Sequence, residues 1–529
     1  MLRLLVKNGS RKANVSCAQL GSFFSTKSSK GNDVNLGENI DLGIEHPMHK
    51  VWRCIKRDVA MMKKNVKFWK DEKNPAIDEK TNRVIDWDDP NAPIFPNHCD
   101  IVIIGGGAIG SATAYWCKKI FRGSLRVVVI EKDPCNILLK NFNISKNYFN
   151  LIHIHKQDMK AYLLFQYTQC STVLSVGGLR QQFSLEENIE MSLFGAEFIR
   201  NANEYLGIEG EPVVDLQFHP YGYLSLATEE SVDILKRNHK LQKSLGAKNV
   251  LLNKFQLKSK FPWLTTDDIE LGCLGLQNEG WFDPWLLLCS LKRKAMSMGV
   301  EYITATAKGF NFKVNPNVHL VGVPPGEYEQ LEYLVVETED GKLRPITFSK
   351  CIVAAGAFSG EVAKMARIGT GRGILKIPLP VEPRKRYVYC FHAPDGPGLN
   401  TPLTIDPTGV YFRREGLANN YICGRSPEEH EEPAVDNLDV DPEFFENNVW
   451  PVLAKRVKAF ENLKVKSSWA GYYEFNTLDE NGVIGSHPYH QNLLFATGFS
   501  GHGIQKAPAI GRAISELIVD KSVKEVNIW

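Results

Sequence analysis

The chain has 529 residues, 11 cysteines and a formal net charge of +3 at pH 7. That length allows two to four domains with sizeable cores, and the nearly balanced charge indicates no broad nucleic-acid-binding surface. The cysteines form neither CxxC pairs nor Cys/His zinc spacings, and no apolar run is long enough to span a membrane, so we expect reduced thiols, no metal site and no transmembrane segment.

Residues 1–32 differ in composition from the rest of the chain. They contain six Lys or Arg residues, many serines and no acidic residue. This composition is typical of a mitochondrial transit peptide, so we expect import into the matrix and cleavage near Phe24. A basic tail with no targeting role is the alternative.

Residues 33–97 are predicted to form a basic helix followed by a linker. Apolar residues recur at three- and four-residue steps between His46 and Lys70, and eight Lys or Arg residues lie on the other side. Such a face could contact anionic lipid of the inner membrane or an acidic partner, although a solvated face is the simpler interpretation. Residues 71–97 are polar and contain prolines, as linkers do.

A strand, a glycine turn and a helix begin the folded body. Residues 101–104 are four consecutive β-branched residues, which indicates a buried strand. In the turn that follows, Gly105 permits a sharp bend, Gly107 lets the backbone approach a pyrophosphate, and Gly110 lets helix and strand pack closely. The unpaired N–H groups at the start of the helix would bind that pyrophosphate.

A second apolar strand, residues 125–130, ends at Glu131. An acidic residue in that place typically accepts hydrogen bonds from the adenosine ribose of a dinucleotide. A glycine-rich turn in another kind of α/β unit is the alternative, but it leaves Glu131 unexplained. The order of these elements therefore predicts a dinucleotide-binding domain.

Three later blocks carry a resemblance to a known family: 175–183 (SVGGLRQQF), 351–359 (CIVAAGAFS) and 495–504 (FATGFSGHGI). With the first turn, they resemble the D-amino-acid oxidase superfamily, which includes sarcosine oxidases and dimethylglycine dehydrogenases. The resemblance covers residues 99–523 and implies FAD as the cofactor. The predicted cofactor-binding residues are Gly105, Gly107, Ala108, Ile109, Gly110, Glu131, Gly177, Gly178, Ala355, Gly356, Gly498, Ser500, Gly501, His502, Gly503 and Ile504.

The last of these blocks also has a physical role. A strand stops there and a glycine-rich loop starts a helix, so backbone N–H groups and the positive end of a helix dipole meet at one place. That place would stabilise the negative charge of a reduced flavin. A second phosphate-binding turn is the alternative, but FAD has only one pyrophosphate.

The order of the blocks predicts an α/β fold with a discontinuous, Rossmann-like FAD-binding domain and a second domain built on a mixed or antiparallel β-sheet. We assign residues 98–212, 280–376 and 466–525 to the FAD-binding domain. Residues 213–279 and 377–465 form the second domain, which would cover the flavin and hold a substrate.

Residues 136–167 fit neither predicted domain. They are rich in Asn, Ile, Lys and aromatic residues and contain no Gly, Pro or Val. Glu131 precedes Gly177 by 46 residues, and the corresponding separation is much shorter in similar proteins. We hypothesise an insertion here, such as retained intron sequence; a lineage-specific loop is the alternative.

The superfamily usually oxidises a C–N bond. A neutral amine needs little acid–base help, so the site must mainly position the substrate carboxylate and exclude water. Arg180 matches a carboxylate-binding arginine of the relatives, and its planar fork suits that task. The candidates to complete the pocket are Arg386, Arg413, Tyr472, Tyr473 and His502. A surface salt bridge is the alternative for each arginine, and His502 could instead cap the helix.

Four stretches resemble a mitochondrial subfamily of FAD-dependent oxidoreductase-domain proteins, known as assembly factors for respiratory complex I: 278–285, 379–389, 411–416 and 469–473. The resemblance implies a matrix protein at the inner membrane whose partners are complex I subunits or assembly intermediates. The alternative is an active dehydrogenase for an N-methylated or secondary amino acid. Gln505 stands where sarcosine-oxidising relatives carry a lysine, which slightly favours the assembly role.

Overall fold

The structure, a computed structural model, describes residues 95–133, 170–320 and 322–520. The predicted transit peptide, the basic helix with nearly all of its linker, and the hypothesised insertion at 136–167 lie outside the described residues. Within the described ranges, no helix has the length and apolarity needed to cross a lipid bilayer.

The strands and helices alternate along much of the chain. In chain order the strands are β1 (His98–Ile104), β2 (Val127–Glu131), β3 (Gly178–Leu179), β4 (Tyr223–Ala227), β5 (Asn249–Asn253), β6 (Leu271–Gly275), β7 (Gly280–Trp281), β8 (Glu301–Val314), β9 (Glu329–Thr338), β10 (Leu343–Val353), β11 (Val381–His392), β12 (Leu403–Ile405), β13 (Tyr411–Glu415), β14 (Asn420–Gly424), β15 (Lys464–Asn476), β16 (Val483–Ser486) and β17 (Leu493–Thr497). The α-helices are α1 (Ala108–Ile120), α2 (Glu186–Arg200), α3 (Ala202–Leu206), α4 (Val232–Ser244), α5 (Lys254–Lys260), α6 (Pro284–Ser297), α7 (Ser359–Met365), α8 (Pro442–Phe444), α9 (Trp450–Arg456) and α10 (Gly503–Asp520).

The first sheet has seven strands around a parallel core. Strands β8, β2, β1, β10 and β17 lie side by side in parallel, β16 pairs antiparallel with β17, and β9 pairs antiparallel with β8 and β10. Ile101 and Ile103 pack against α1 and α10 on one face, whereas Val102 and Ile104 pack with residues of β9 and α7 on the other. Burial on both faces explains the continuous β-branched run.

The second sheet has eight strands in the order β15-β11-β14-β13-β12-β4-β6-β5. Neighbouring strands are antiparallel except for β12 and β4, which are parallel. Phe391 of β11 and Phe412 of β13 are buried on this sheet and pack against Phe460, which precedes β15. The sheet is therefore mixed, and its strands come from the middle of the chain and from β15.

The predicted return to the first domain at residue 466 needs correction. That boundary divides β15, which pairs with β11 from Val381 opposite Asn476 to His392 opposite Lys464. The chain rejoins the first sheet at β16. The sequence could not place this boundary, because the partner of β15 is β11, a segment far away along the chain.

Candidate cofactor and substrate site

The walls of one cavity come from both sheets. Its volume is about 550 Å³, which is within the range of small-molecule and cofactor sites. Residues at the carboxyl ends of β1, β2 and β10 line one part, side chains from β4, β11, β12, β13 and β15 line another, and residues 501–504 also contribute. The cavity therefore brings the first glycine turn and the last glycine-rich block to a common space.

The first turn has no room for side chains at two glycines. Gly105 has a φ of +106°, and a Cβ there would overlap the carbonyl oxygen of Ala354. A Cβ on Gly110 would overlap the carbonyl oxygen of Gly105. Because neither residue has a side chain, α1 can start beside the carboxyl end of β1. The first residues of this helix, Ala108 and Ile109, line the cavity.

Residues 170–172 cover this turn from the other side. The backbone N–H of Ala108 donates to Thr172 Oγ1 at 3.1 Å. A Cβ on Gly107 would lie 3.3 Å from the same oxygen and 3.4 Å from Cys170 Sγ. Sequence reasoning missed both residues because no motif marks them.

Glu131 ends β2 and lines the cavity. Its Oε2 accepts a hydrogen bond from Gly106 N at 2.8 Å, and its Oε1 accepts one from Asp133 N at 3.0 Å. These two bonds fix the orientation of the carboxylate. Each oxygen keeps a further lone pair, so the group can still accept hydrogen bonds from sugar hydroxyls.

Arg180 lies in the cavity wall and, among the described residues, forms no ion pair with a carboxylate. Its Nη2 is 2.9 Å from His502 Nε2, and its backbone N–H donates to Gln505 Oε1 at 2.7 Å. Burial, together with Arg180 and Lys506, holds the pKa of His502 well below its usual value. The ring is therefore neutral, and its Nε2 accepts a hydrogen bond from Arg180, since a guanidinium can only donate.

The last block turns β17 into α10 through three residues with positive φ: Gly498 (+76°), Ser500 (+46°) and Gly501 (+82°). The loop is tied to β15, since Gly498 N donates to Glu474 Oε2 at 3.1 Å and Ser500 N donates to the Glu474 carbonyl at 3.0 Å. Helix α10 then begins at Gly503, and the four residues from 501 to 504 line the cavity.

The block after β10 reaches the same cavity. Ala355 and Gly356 line it, and Gly356 has a φ of +55°. Other predicted glycines shape the turns without lining this cavity. They are Gly110, Gly177, Gly178 and Gly498, together with Ser500.

The remaining candidate substrate residues differ in what they can offer. Arg386 lines the cavity but donates from both Nη atoms to Glu432, at 2.8 and 2.9 Å, so its fork is occupied. Tyr472 lines the cavity and donates its hydroxyl to a backbone carbonyl. Arg413 does not line it; its Nε donates to the Val176 carbonyl at 2.9 Å and supports the second glycine turn.

The second sheet supplies cavity residues that the sequence did not reveal. Tyr223 on β4, Tyr411 on β13 and Glu474 on β15 all line the cavity. A strand pattern of period two shows only that one face is buried, not which cavity that face borders.

These features fit FAD: a turn in which two glycines admit no side chain, a carboxylate at the ribose end, and a helix start at the far block. A profile described as FAD dependent oxidoreductase matches residues 100–517. The chain belongs to this family. The predicted superfamily and the cofactor, FAD, are thereby confirmed.

Similar proteins extend along most of the chain. FAD-dependent oxidoreductase domain-containing protein 1 of Xenopus laevis is 48% identical over 444 residues, which is 83% of each chain. The protein of the same name from Bos taurus is 46% identical over 82% of this chain and 84% of its own. The solved structure of L-proline dehydrogenase from P. horikoshii has 25% sequence identity and a TM-score of 0.62, and covers 82% of this chain and 96% of that one. The predicted α/β fold is confirmed.

We expect Glu131→Ala to weaken FAD binding by about tenfold to a hundredfold, because a hydrogen bond to a charged group contributes about 1.5–3 kcal/mol. Titration of the apoprotein with FAD measures the change. Glu301→Gln is the matched control, since Glu301 is an exposed carboxylate at the start of β8 that pairs with Arg126 outside the cavity. Equal FAD affinity of the Glu131 variant and the control would show that Glu131 has no part in binding.

Proposed function

We propose that the protein is a dehydrogenase that oxidises the C–N bond of a secondary or N-methylated amino acid. The observation that supports this most is the guanidinium of Arg180, which faces the cavity with no carboxylate partner among the described residues. The neighbouring Arg386, in contrast, is already paired with Glu432. The similarity to an L-proline dehydrogenase agrees with a secondary amine as the substrate class.

Each residue has a defined part in this proposal. FAD, when bound, supplies the electron acceptor for the oxidation. Arg180 binds the substrate carboxylate through its fork, and the neutral His502 fixes the orientation of that fork. Tyr223, whose ring lies beside the Arg180 guanidinium, and Tyr411 form part of the cavity wall and exclude water from the amine.

Anaerobic mixing of the FAD-loaded protein with a panel of amines tests the proposal. Proline and N-methylated amino acids should bleach the flavin absorbance at a catalytic rate, whereas the corresponding amines without a carboxylate should not. If no carboxylate-bearing amine reduces the flavin, the protein is not such an enzyme.

We further propose that the protein acts in the mitochondrial matrix, at the inner membrane, in the assembly of complex I, with complex I subunits or assembly intermediates as partners. The four stretches that resemble the mitochondrial assembly factors support this role. The residue at position 505 agrees with this role. Gln505 accepts a hydrogen bond from the backbone N–H of Arg180 and provides no positive charge for a substrate carboxylate.

Complementation of cells that lack the protein distinguishes the two roles. Arg180→Met is expected to bind FAD but not a substrate carboxylate. This variant should restore complex I if the assembly role needs only the folded protein with FAD bound. If neither this variant nor the wild-type protein restores complex I, the assembly role is excluded. Import of a tagged full-length chain into the matrix tests the location, and retention in the cytosol would contradict it.

A further inference from the structure

Glu474 is an acidic residue in the cavity wall where two of the family's blocks meet the start of α10. Its Oε2 accepts a hydrogen bond from Gly498 N at 3.1 Å and lies 3.1 Å from the Thr497 hydroxyl oxygen. A Cβ on Gly356 would lie 4.0 Å from Oε2, and a Cβ on Gly503 would lie 3.2 Å from Oε1. One oxygen is therefore tied to the loop, and the other is beside the first residue of α10.

No described cation forms an ion pair with Glu474. The titratable or charged side chains nearest to it on the strand pair, in the following turn and at the start of α10 include both signs of charge. They are Tyr472 and Tyr473 on β15, Glu382, Arg384, Lys385 and Arg386 on β11, Asp479 and Glu480 in the turn that follows β15, His502 before α10, and Lys506 in its first turn. Burial raises the pKa of Glu474 to about 7, and the hydrogen bonds from the loop offset only part of this effect. The carboxyl group can therefore exchange a proton near neutral pH.

The position of this group matters because reduction places negative charge on a flavin. The N–H groups at the start of α10 favour that charge, whereas an ionised carboxylate beside them opposes it. We propose that Glu474 takes up a proton when the bound FAD is reduced and releases it when the FAD is reoxidised.

The step balances in protons and electrons. Two electrons and one proton convert oxidised FAD to its anionic reduced form, and one further proton passes from solvent to the Glu474 carboxylate. In turnover, the electrons come from an oxidisable amine, which becomes an imine. The inference rests on FAD binding alone and does not depend on which substrate supplies the electrons.

The midpoint potential of the FAD-loaded protein, measured from pH 6 to 9 against redox dyes with dithionite as reductant, tests the proposal. Wild-type protein should show a window near neutral pH in which reduction takes up one extra proton. Within this window the equilibrium constant for reduction of the bound FAD changes by an additional tenfold per pH unit, which is about 30 mV in the midpoint potential of a two-electron couple.

Glu474→Gln keeps the shape of the side chain but cannot take up a proton. We expect this variant to lack the additional slope and, at pH 9, to have a higher midpoint potential than wild type. Glu480→Gln is the matched control, because Glu480 is an exposed carboxylate in the turn after β15, and it should keep the wild-type slope. A Glu474→Gln variant with the full wild-type slope would overturn the proposal.

A second measurement needs no variant. The reduced-minus-oxidised infrared spectrum of wild-type protein should gain a protonated carboxyl band that shifts in D₂O. If wild-type protein shows neither this band nor the additional slope, Glu474 does not take up a proton, even if Glu474→Gln fails to fold. Since dithionite supplies the electrons, this failure is distinct from the failure of amines to reduce the flavin.

Discussion

Gly105→Ala should weaken FAD binding by at least about thirtyfold relative to wild type. Two costs act at this position. The φ of +106° is one that residues with a Cβ rarely adopt, and the new Cβ would overlap the carbonyl oxygen of Ala354. Backbone strain and overpacking each cost about 1–3 kcal/mol, and relief of both would move the turn away from the pyrophosphate.

Gly123→Ala separates backbone strain from overlap. Gly123 also has a positive φ, +76°, but no atom lies within 4 Å of the place where its Cβ would be. We expect this control to lose a little stability and to bind FAD as wild type does. Titration with FAD, monitored by flavin fluorescence, gives both affinities, and circular dichroism shows whether each variant is folded. Wild-type affinity in a folded Gly105→Ala protein would mean that the pyrophosphate lies elsewhere.

Arg180→Met should weaken the binding of carboxylate-bearing substrates and inhibitors by about thirtyfold or more, since removal of one partner of a buried charge pair costs about 2–5 kcal/mol. FAD affinity should change little, because no described carboxylate forms an ion pair with this guanidinium. Perturbation of the flavin spectrum by a non-oxidisable carboxylate measures the binding directly, without turnover.

Arg180→Lys provides a graded comparison. It keeps the positive charge but loses the planar fork, so we expect an intermediate loss of carboxylate affinity. If Arg180→Met and wild type bind the carboxylate equally well, the anion does not lie on Arg180.

The first turn and Glu131 could be predicted because their constraints are local. The need for a glycine at position 105 and for a carboxylate at the end of β2 can both be read from one strand–turn–helix unit and the strand that follows it. The same holds for Gly501 and Gly503, which open α10 after β17. In each case the residues that act together are close in the sequence.

The other side of the site depends on pairings between distant segments. Glu474 contacts the loop at Gly498 because β15 pairs with β11. The same pairing is the reason why the predicted boundary at residue 466 is wrong. The occupied fork of Arg386 depends on Glu432, 46 residues further along the chain. Neither contact leaves a periodic signal that sequence reasoning could detect.

A crystal structure of the FAD-loaded protein tests the central claim most directly, namely that a single FAD extends from the first turn to the start of α10. The adenosine should lie at Glu131, the pyrophosphate at the turn that contains Gly105 and Gly107, and the flavin ring beside Gly501 and Arg180. A flavin ring at the Glu131 end, or FAD bound outside this cavity, would contradict the account.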